Sequence, residues 1–479
     1  MLFNSLQFLY FFVIVTVLYF SLTHQWRWVL LLAASCYFYM AFVPIYILIL
    51  GFTIVIDYFA GIFIEGAQGK RRKLYLTCSL VANIGVLAVF KYYNFLNDNL
   101  TFLLGNFHVA NPIPGLAILL PIGLSFHTFQ AMSYTIEVYR GNQKAERHFG
   151  IYSLYVMFYP QLVAGPIERP QNLLPQLKQN HEFDYANVAS GLRLMAWGLF
   201  KKVVIADRLA ILIDNVYTDP HHYNGISLVI ATLFCNYKIY CDFSGYTDIA
   251  RGAARVMGIK LMQNFNYPFM SKTIAEFWTR WHISLSTWFR DYLFMPMSRK
   301  YRGVPGHLFN VFVIFFLVGL WHGASWNFIM WGVINGVYLM IGTLARKPWK
   351  AFRTAIGIRK YSIFSIVGTF TLVGFATIFF ASNNISNAFY IAGHMFTSFN
   401  DLLHFHHLQF MGVKNSYLVL SFGLIIVLEL LQYFYRNHSL LNRFLKQPVY
   451  IRWAVYYAAI FVIGVYGIFE HRQFIYFQF

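Results

Sequence analysis

The stretch Gly319-Leu320-Trp321-His322-Gly323-Ala324-Ser325-Trp326 sets a histidine between two tryptophans. The apolar run 311–318 leads into it and 327–340 leads out. No Asp, Glu, Lys or Arg lies between Arg302 and Arg346. A helix through hydrocarbon needs about 20 mostly apolar residues, and both flanks supply them. His322 therefore sits at or near membrane depth. Ionisable groups there are costly, face a protein interior or a wet cavity, and mark function. A neutral imidazole is the cheapest of them to bury and can still exchange a proton near neutral pH. The competing reading is a packing histidine bonded to a neighbouring helix, as buried polar groups generally are.

Outward from this point the chain reads as a membrane protein. Its 479 residues are 58% hydrophobic, 20% aromatic and only 11% charged, with a mean hydropathy of +0.52. A soluble chain of this length would hold about three domains. Repeated apolar runs point instead to one integral-membrane domain over 1–479. Candidate spans cover 6–22, 28–43, 45–64, 74–90, 116–136, 151–164, 191–205, 226–241, 308–320, 326–344, 363–380, 389–399, 417–433 and 453–467. The expectation is an all-α polytopic bundle of roughly 11–14 membrane segments, some tilted or re-entrant. The first run has no basic n-region and no small-residue cleavage site, so it reads as a retained anchor. No internal repeat is visible.

The net charge of +19 comes from Lys and Arg in the breaks between apolar runs. That is the pattern of the positive-inside rule, not of nucleic-acid binding. Arg27 and Lys70-Arg71-Arg72-Lys73 place those breaks, including the 66–73 loop, in the cytoplasm and the N-terminus outside. A basic cytoplasmic face suits anionic lipid or an anionic cofactor. Cys36, Cys78, Cys235 and Cys241 form no C-x-x-C pair. They are expected to be free and buried, with no zinc or disulfide framework. Proline and glycine at Pro121-Ile122-Gly123 and Tyr159–Pro166 free backbone groups, which a bilayer tolerates only beside protein or a cavity.

The stretch Glu276-Phe-Trp-Thr-Arg-Trp-His-Ile-Ser-Leu-Ser-Thr-Trp-Phe-Arg-Asp-Tyr292 carries most of the chemistry. Read as one helix, it puts Trp278, Trp281, Leu285 and Trp288 on one face. His282, Ser286 and Phe289 form an adjacent stripe, and Arg280, Arg290 and Asp291 are left for another side. A surface helix with tryptophans at the headgroups is the alternative. Two histidines in separate buried elements suggest a general base and a helper that orients or polarises the reacting group. No G-x-S-x-G elbow occurs; Gly123-Leu-Ser125-Phe-His127 only approaches it. No nucleotide-binding glycine loop is present. In Asp242-Phe-Ser-Gly-Tyr-Thr-Asp248, Asp242 and Asp248 are expected to cap and orient a following turn, with Ser244 on backbone.

These segments together resemble the membrane-bound O-acyltransferase (MBOAT) family, and within it the bacterial alginate O-acetyltransferase type. The matching pieces are Gln161–Arg169, Gly198–Asp207, Asp242–Asp248, Asn264-Phe-Asn-Tyr-Pro268, Glu276–Tyr292, Gly319–Ser325 and Phe474–Phe479, sharpest over 158–330. The resemblance implies that His322 is the catalytic histidine and His282 the supporting one. It implies a helical fold enclosing a funnel and tunnel. It implies acetyl-CoA as donor substrate with no permanently bound cofactor. It implies an extracytoplasmic SGNH/GDSL-like partner that esterifies a polysaccharide or the cell wall, in the bacterial cytoplasmic membrane.

On chemical grounds, Lys201, Lys202, Arg280 and Arg290 are candidates for the phosphates of coenzyme A, and Trp278, Trp281 and Trp288 for its slim pantetheine arm. Asp242, Ser244, Asp248, Glu276, Asp291, Trp321 and Gly323 are the expected supporting residues. Two rivals remain. A transporter or flippase should show midplane acids and repeat symmetry. A family member fed by an acyl carrier protein would need a protein-docking mouth.

Overall fold

The computed structural model describes residues 1–117, 121–355, 363–397, 409–436, 439–469 and 474. Of the terminal motif 474–479, all but Phe474 lies outside the described residues. The described chain is helical apart from one antiparallel pair, Gln409–Phe410 with Val413–Lys414. Among the described residues, eight helices are long and apolar enough to cross a membrane: Pro44–Gly66, Gly69–Gly105, Gly225–Val256, Gly303–His322, Trp326–Leu344, Ile363–Ala381, Asn415–Arg436 and Val449–Tyr466. Leu6–Ser21 is apolar but shorter. Other expected segments are short or interrupted helices, such as Phe149–Met157 and Ile385–His394. The protein is a multi-pass membrane protein.

The described residues pack as two compact units. One takes Met1–Met195 and Tyr246–Gln263; the other takes Ala196–Gly245 and the chain from Asn264 onward. The helix Gly225–Val256 contributes residues to both.

In the first unit, aromatic side chains do most of the packing. Phe11 and Phe38 close on Tyr159, and Phe3 stacks on Tyr246. Gly61 has no Cβ because the Tyr134 ring fills that place, 2.6 Å from where it would be. Asp57 is fully buried within a span, accepting from Ser79 Oγ at 2.6 Å and from Asn83 Nδ2 at 2.8 and 3.0 Å. Three bonds to donors on the next helix meet the rule that a buried polar group must be hydrogen-bonded. Glu168, also fully buried, accepts from Met262 N–H at 2.5 Å and Asn172 Nδ2 at 2.6 Å. Burial pushes its carboxyl up to about 7 against the pull of those bonds and of Arg169 and Arg251. The cysteines divide: Cys235 and Cys241 are buried, Cys36 is half-buried and Cys78 is exposed. Cys78 sits on a span that turns most of its surface outward, so an apolar run alone did not make it a core residue.

In the second unit, Gly303–His322 and Trp326–Leu344 form a tight antiparallel hairpin. A Cβ on Gly319 would lie 2.4 Å from Phe328 O and 3.2 Å from Gly332 Cα. One on Gly332 would lie 2.4 Å from Phe315 O. Small residues let membrane helices approach backbone to backbone, which accounts for Gly332-Val-Ile-Asn-Gly336 as packing. Asn327 Nδ2 donates to Ser382 O at 2.6 Å and ties the hairpin to Ile363–Ala381.

Candidate active site

His322 is the last residue of its helix and only 5% exposed. The chain turns at once into the next helix, through Gly323. A Cβ there would lie 2.1 Å from the Phe328 ring, so glycine is required by space. The His322 imidazole lies edge-on to Trp321 and Trp331, with centroids 4.9 Å away in each case, and 5.2 Å from Phe380. Phe380 also meets Trp331 at 5.3 Å. These separations are those of favourable aromatic pairs. The ring is held in a wall of aromatic carbon that excludes bulk water.

His282 arrives by another route. Helical periodicity predicts one continuous helix over 276–292, but the backbone breaks. Ile274–Arg280 is one helix and Ile283–Phe289 the next. Trp281 between them is extended, and His282 takes φ 43° and ψ 55°. A non-glycine residue in that left-handed region stores of order 1 kcal/mol or more of strain, held by its surroundings. The faces expected from an unbroken helix are therefore lost. His282 is fully buried, edge-on to Phe243 at 4.7 Å and tilted against Trp321 at 5.9 Å. Burial pushes its imidazole down to about 3, so it is neutral at any working pH. Trp321 is thus the shared neighbour of both histidines.

Of the three expected aromatic contacts, Trp278 comes nearest this centre. It lies 5.7 Å from Trp331, which in turn lies against His322. Trp281 packs with Phe265, Phe277 and Tyr240, of which Phe277 also meets Trp278 and Phe265 meets Phe243. Trp288 packs on Phe289 and Tyr292.

The lysines expected at a basic mouth lie inside. Lys202 is 6% exposed, with Nζ 2.8 Å from Asp207 and 2.7 Å from Asp242. Its charge answers two carboxylates, because a buried ion persists only when paired. Lys201 donates to Ser244 Oγ at 2.9 Å, with its ammonium 5.9 Å from the Trp197 and Tyr240 rings. Asp242–Asp248 is therefore no cap. It lies in mid-helix of Gly225–Val256, and its carboxylates pair with the side chains of Lys202 and Arg251. Gly245 makes this possible, since a Cβ there would lie 2.7 Å from Gly198 O. Asp248 pairs with Arg251 at 3.1 Å, in the first unit.

The outer charges also have partners. Arg280 pairs with Glu276 at 2.8 Å, and the more exposed Arg290 with Asp291 at 2.8 Å. Glu276 caps its own helix as well. Its N–H donates to Thr273 Oγ1 and its carboxylate accepts from Lys272 N–H, a reciprocal arrangement at a helix start. Sequence reasoning missed Trp331, Phe380, Phe243 and Asn264. Phe243 and Asn264 lie within quoted motifs. Trp331 and Phe380 sit in apolar runs that carry no local signal.

The model of the membrane-bound O-acyltransferase family matches residues 142–382, which hold both histidines. A probable alginate O-acetylase of Pseudomonas putida is 34% identical over 91% of this chain and 89% of its own length. A peptidoglycan O-acetyltransferase of Helicobacter pylori is 33% identical over 75% of this chain and 71% of its own. A teichoic acid D-alanyltransferase of Bacillus subtilis is 30% identical over 54% and 68%. With both histidines inside the matched region and similarity running along nearly the whole chain, the protein belongs to the membrane-bound O-acyltransferase family and is an acyltransferase.

Proposed function

We propose that the protein takes an acetyl group from cytoplasmic acetyl-CoA and passes it toward an extracytoplasmic acceptor, for O-acetylation of an alginate-like exopolysaccharide or of the cell wall. The observation that carries this reading is the pair of buried imidazoles sharing Trp321, in a chain similar along most of its length to probable alginate O-acetylases. His322 takes the proton of the acceptor hydroxyl as its oxygen attacks the thioester carbonyl carbon. The tetrahedral intermediate collapses, the C–S bond breaks, and the imidazolium returns the proton to the departing thiolate. An O-ester and free CoA thiol result. Such general-base help is worth about 10²–10⁴-fold. Neutral His282 orients the acceptor or polarises the carbonyl. A covalent acyl-His322 intermediate is the variant of this scheme in which the imidazole itself attacks.

Arg280 and Arg290 are the remaining cationic candidates for the CoA phosphates, with Trp278 beside the reacting end. The setting is the bacterial cytoplasmic membrane, with the N-terminus outside and the 66–73 loop inside. The onward acceptor is an SGNH/GDSL-like partner serving a polysaccharide. The second reading is an acyl-carrier-protein donor. It is supported by the likeness to a teichoic acid D-alanyltransferase and by the enclosure of Lys201 and Lys202.

The test is purified protein in nanodiscs with radiolabelled acetyl-CoA, comparing wild type, His322→Ala and His282→Ala for CoA release and for label on protein or acceptor. Acetyl-CoA consumption by wild type that His322→Ala loses while still folded supports the scheme. Label kept by wild type but absent from His322→Ala favours the covalent variant. Wild type that turns over no acyl-CoA, with or without acceptor, removes acetyl-CoA as donor and promotes the carrier-protein reading.

A further inference from the structure

We infer that Asn264 is the positioning residue that aims His282. The inference rests on His282 acting in the transfer proposed above. His282 occupies the N-cap position of Ile283–Phe289, where a side-chain oxygen ordinarily accepts from the first free N–H groups, but it makes no cap bond. Asn264 supplies that cap from elsewhere in the chain. Its Oδ1 accepts from Ser284 N–H at 3.1 Å, and its backbone carbonyl accepts from Ile283 N–H at 2.9 Å. Asn264 is 1% exposed, so water does not compete for these bonds.

On the other side of His282, Asn266 N–H donates to Arg280 O at 2.9 Å, and the Arg280 guanidinium donates back to Asn266 O at 3.3 Å. The segment 264–266 therefore runs alongside 280–284 and is bonded to it before and after Trp281-His282. Those two residues are left over between the bonds, as in a strand bulge that redirects a side chain. Two consequences follow. The left-handed backbone of His282 is flanked by the bonds that Asn264 and Asn266 make to the residues before and after it. Because Asn264 does the capping, the imidazole is free to face Phe243 and Trp321. His282 itself gives only its carbonyl to the new helix, accepting from Ser286 N–H at 3.0 Å.

The experiment uses the full chain in nanodiscs and measures kcat and KM for acetyl transfer, with thermal unfolding as a check of fold. Asn264→Ala removes the cap and lets the turn relax. It should lose about 10²-fold in kcat, the scale expected for displacing a reacting group by 1 Å, with KM unchanged. Asn264→Asp keeps an acceptor oxygen in the same place and should restore most of the rate. In a double-mutant cycle, Asn264→Ala should add nothing to His282→Ala, because its effect passes through that ring. Wild-type kcat in Asn264→Ala, fully additive losses in the double variant, or equal collapse of Asn264→Ala and Asn264→Asp would each overturn the inference. If His282→Ala itself keeps wild-type kcat, the assigned role of His282 has failed. If His282→Ala is slow and Asn264→Ala is not, only the positioning role has failed.

Discussion

His322 and His282 meet the same indole by opposite means. His322 ends a 20-residue membrane helix whose register is fixed along its length by backbone contact at Gly319 and Gly332. His282 sits in a two-residue break between a seven-residue helix and one that continues through a π turn to Lys300, held in a strained conformation by a distant asparagine. The first is placed by a large rigid element and the second by a few hydrogen bonds. A group carried by a long packed helix tolerates local change in its neighbours. A group carried by a bonded turn depends on each bond. The two histidines should therefore fail differently.

The largest effect is expected at His322. Replacement by alanine removes the base while leaving the hairpin glycines in contact. Loss of about 10²–10⁴-fold in kcat with near wild-type thermal stability is the expected outcome, measured by CoA release and differential scanning fluorimetry. A variant that keeps its rate would strip His322 of its central place.

Next comes Lys202. Lys202→Ala leaves Asp207 and Asp242 buried without their cation, which typically costs about 3–5 kcal/mol. Asp242 adjoins Phe243, whose ring faces His282. Damage should thus reach the His282 side first. The readout is chemical denaturation, with Lys202→Met, Asp207→Asn and Asp242→Asn combined as a near-neutral control. Unchanged stability in Lys202→Ala would mean that the two carboxylates find other partners.

Gly332→Ala tests the rigid element directly. Its Cβ would enter Phe315 O, and overpacking of this kind costs about 1–3 kcal/mol. Because the hairpin moves as a body, stability and rate should fall together. If rate alone fell, the claim that His322 is placed by packing would not stand.

The contrast also explains what was legible in the sequence. The hairpin could be read because its parts are local: apolar runs, glycines at helical spacing, and a polar residue where none is expected. The turn could not, because Trp278, Trp281, Leu285 and Trp288 keep helical spacing straight through the break. What ends the helix at Trp281 lies back at Asn264, and single-sequence periodicity carries no trace of a partner at that distance. The same limit hid the fate of the lysines. Lys201 and Lys202 look like a basic mouth until Asp207, Asp242 and Ser244 are brought beside them. Phe380 and Trp331 were invisible because one aromatic residue in an apolar run resembles any other.

The last test uses pH and needs no rate assay. His282 titrates near 6.5 when unfolded and about 3 in the fold. Below 6.5 the unfolded chain binds a proton that the folded chain refuses, so stability from this site is complete above pH 6.5 and is lost as pH falls toward 3. Glu168 runs the other way. Its carboxyl, raised from 4.5 to about 7, keeps its proton longer in the fold, so its contribution is present below 4.5 and lost as pH rises to about 7. Between 4.5 and 6.5 the two slopes oppose, and the wild-type curve alone decides nothing. The difference between wild type and His282→Ala removes Glu168 from the comparison. Unfolding midpoints of the pair should converge as pH drops from 6.5, because wild type alone carries the penalty of a buried neutral ring. Parallel curves would mean that His282 can take a proton in place, and so that its turn opens to water.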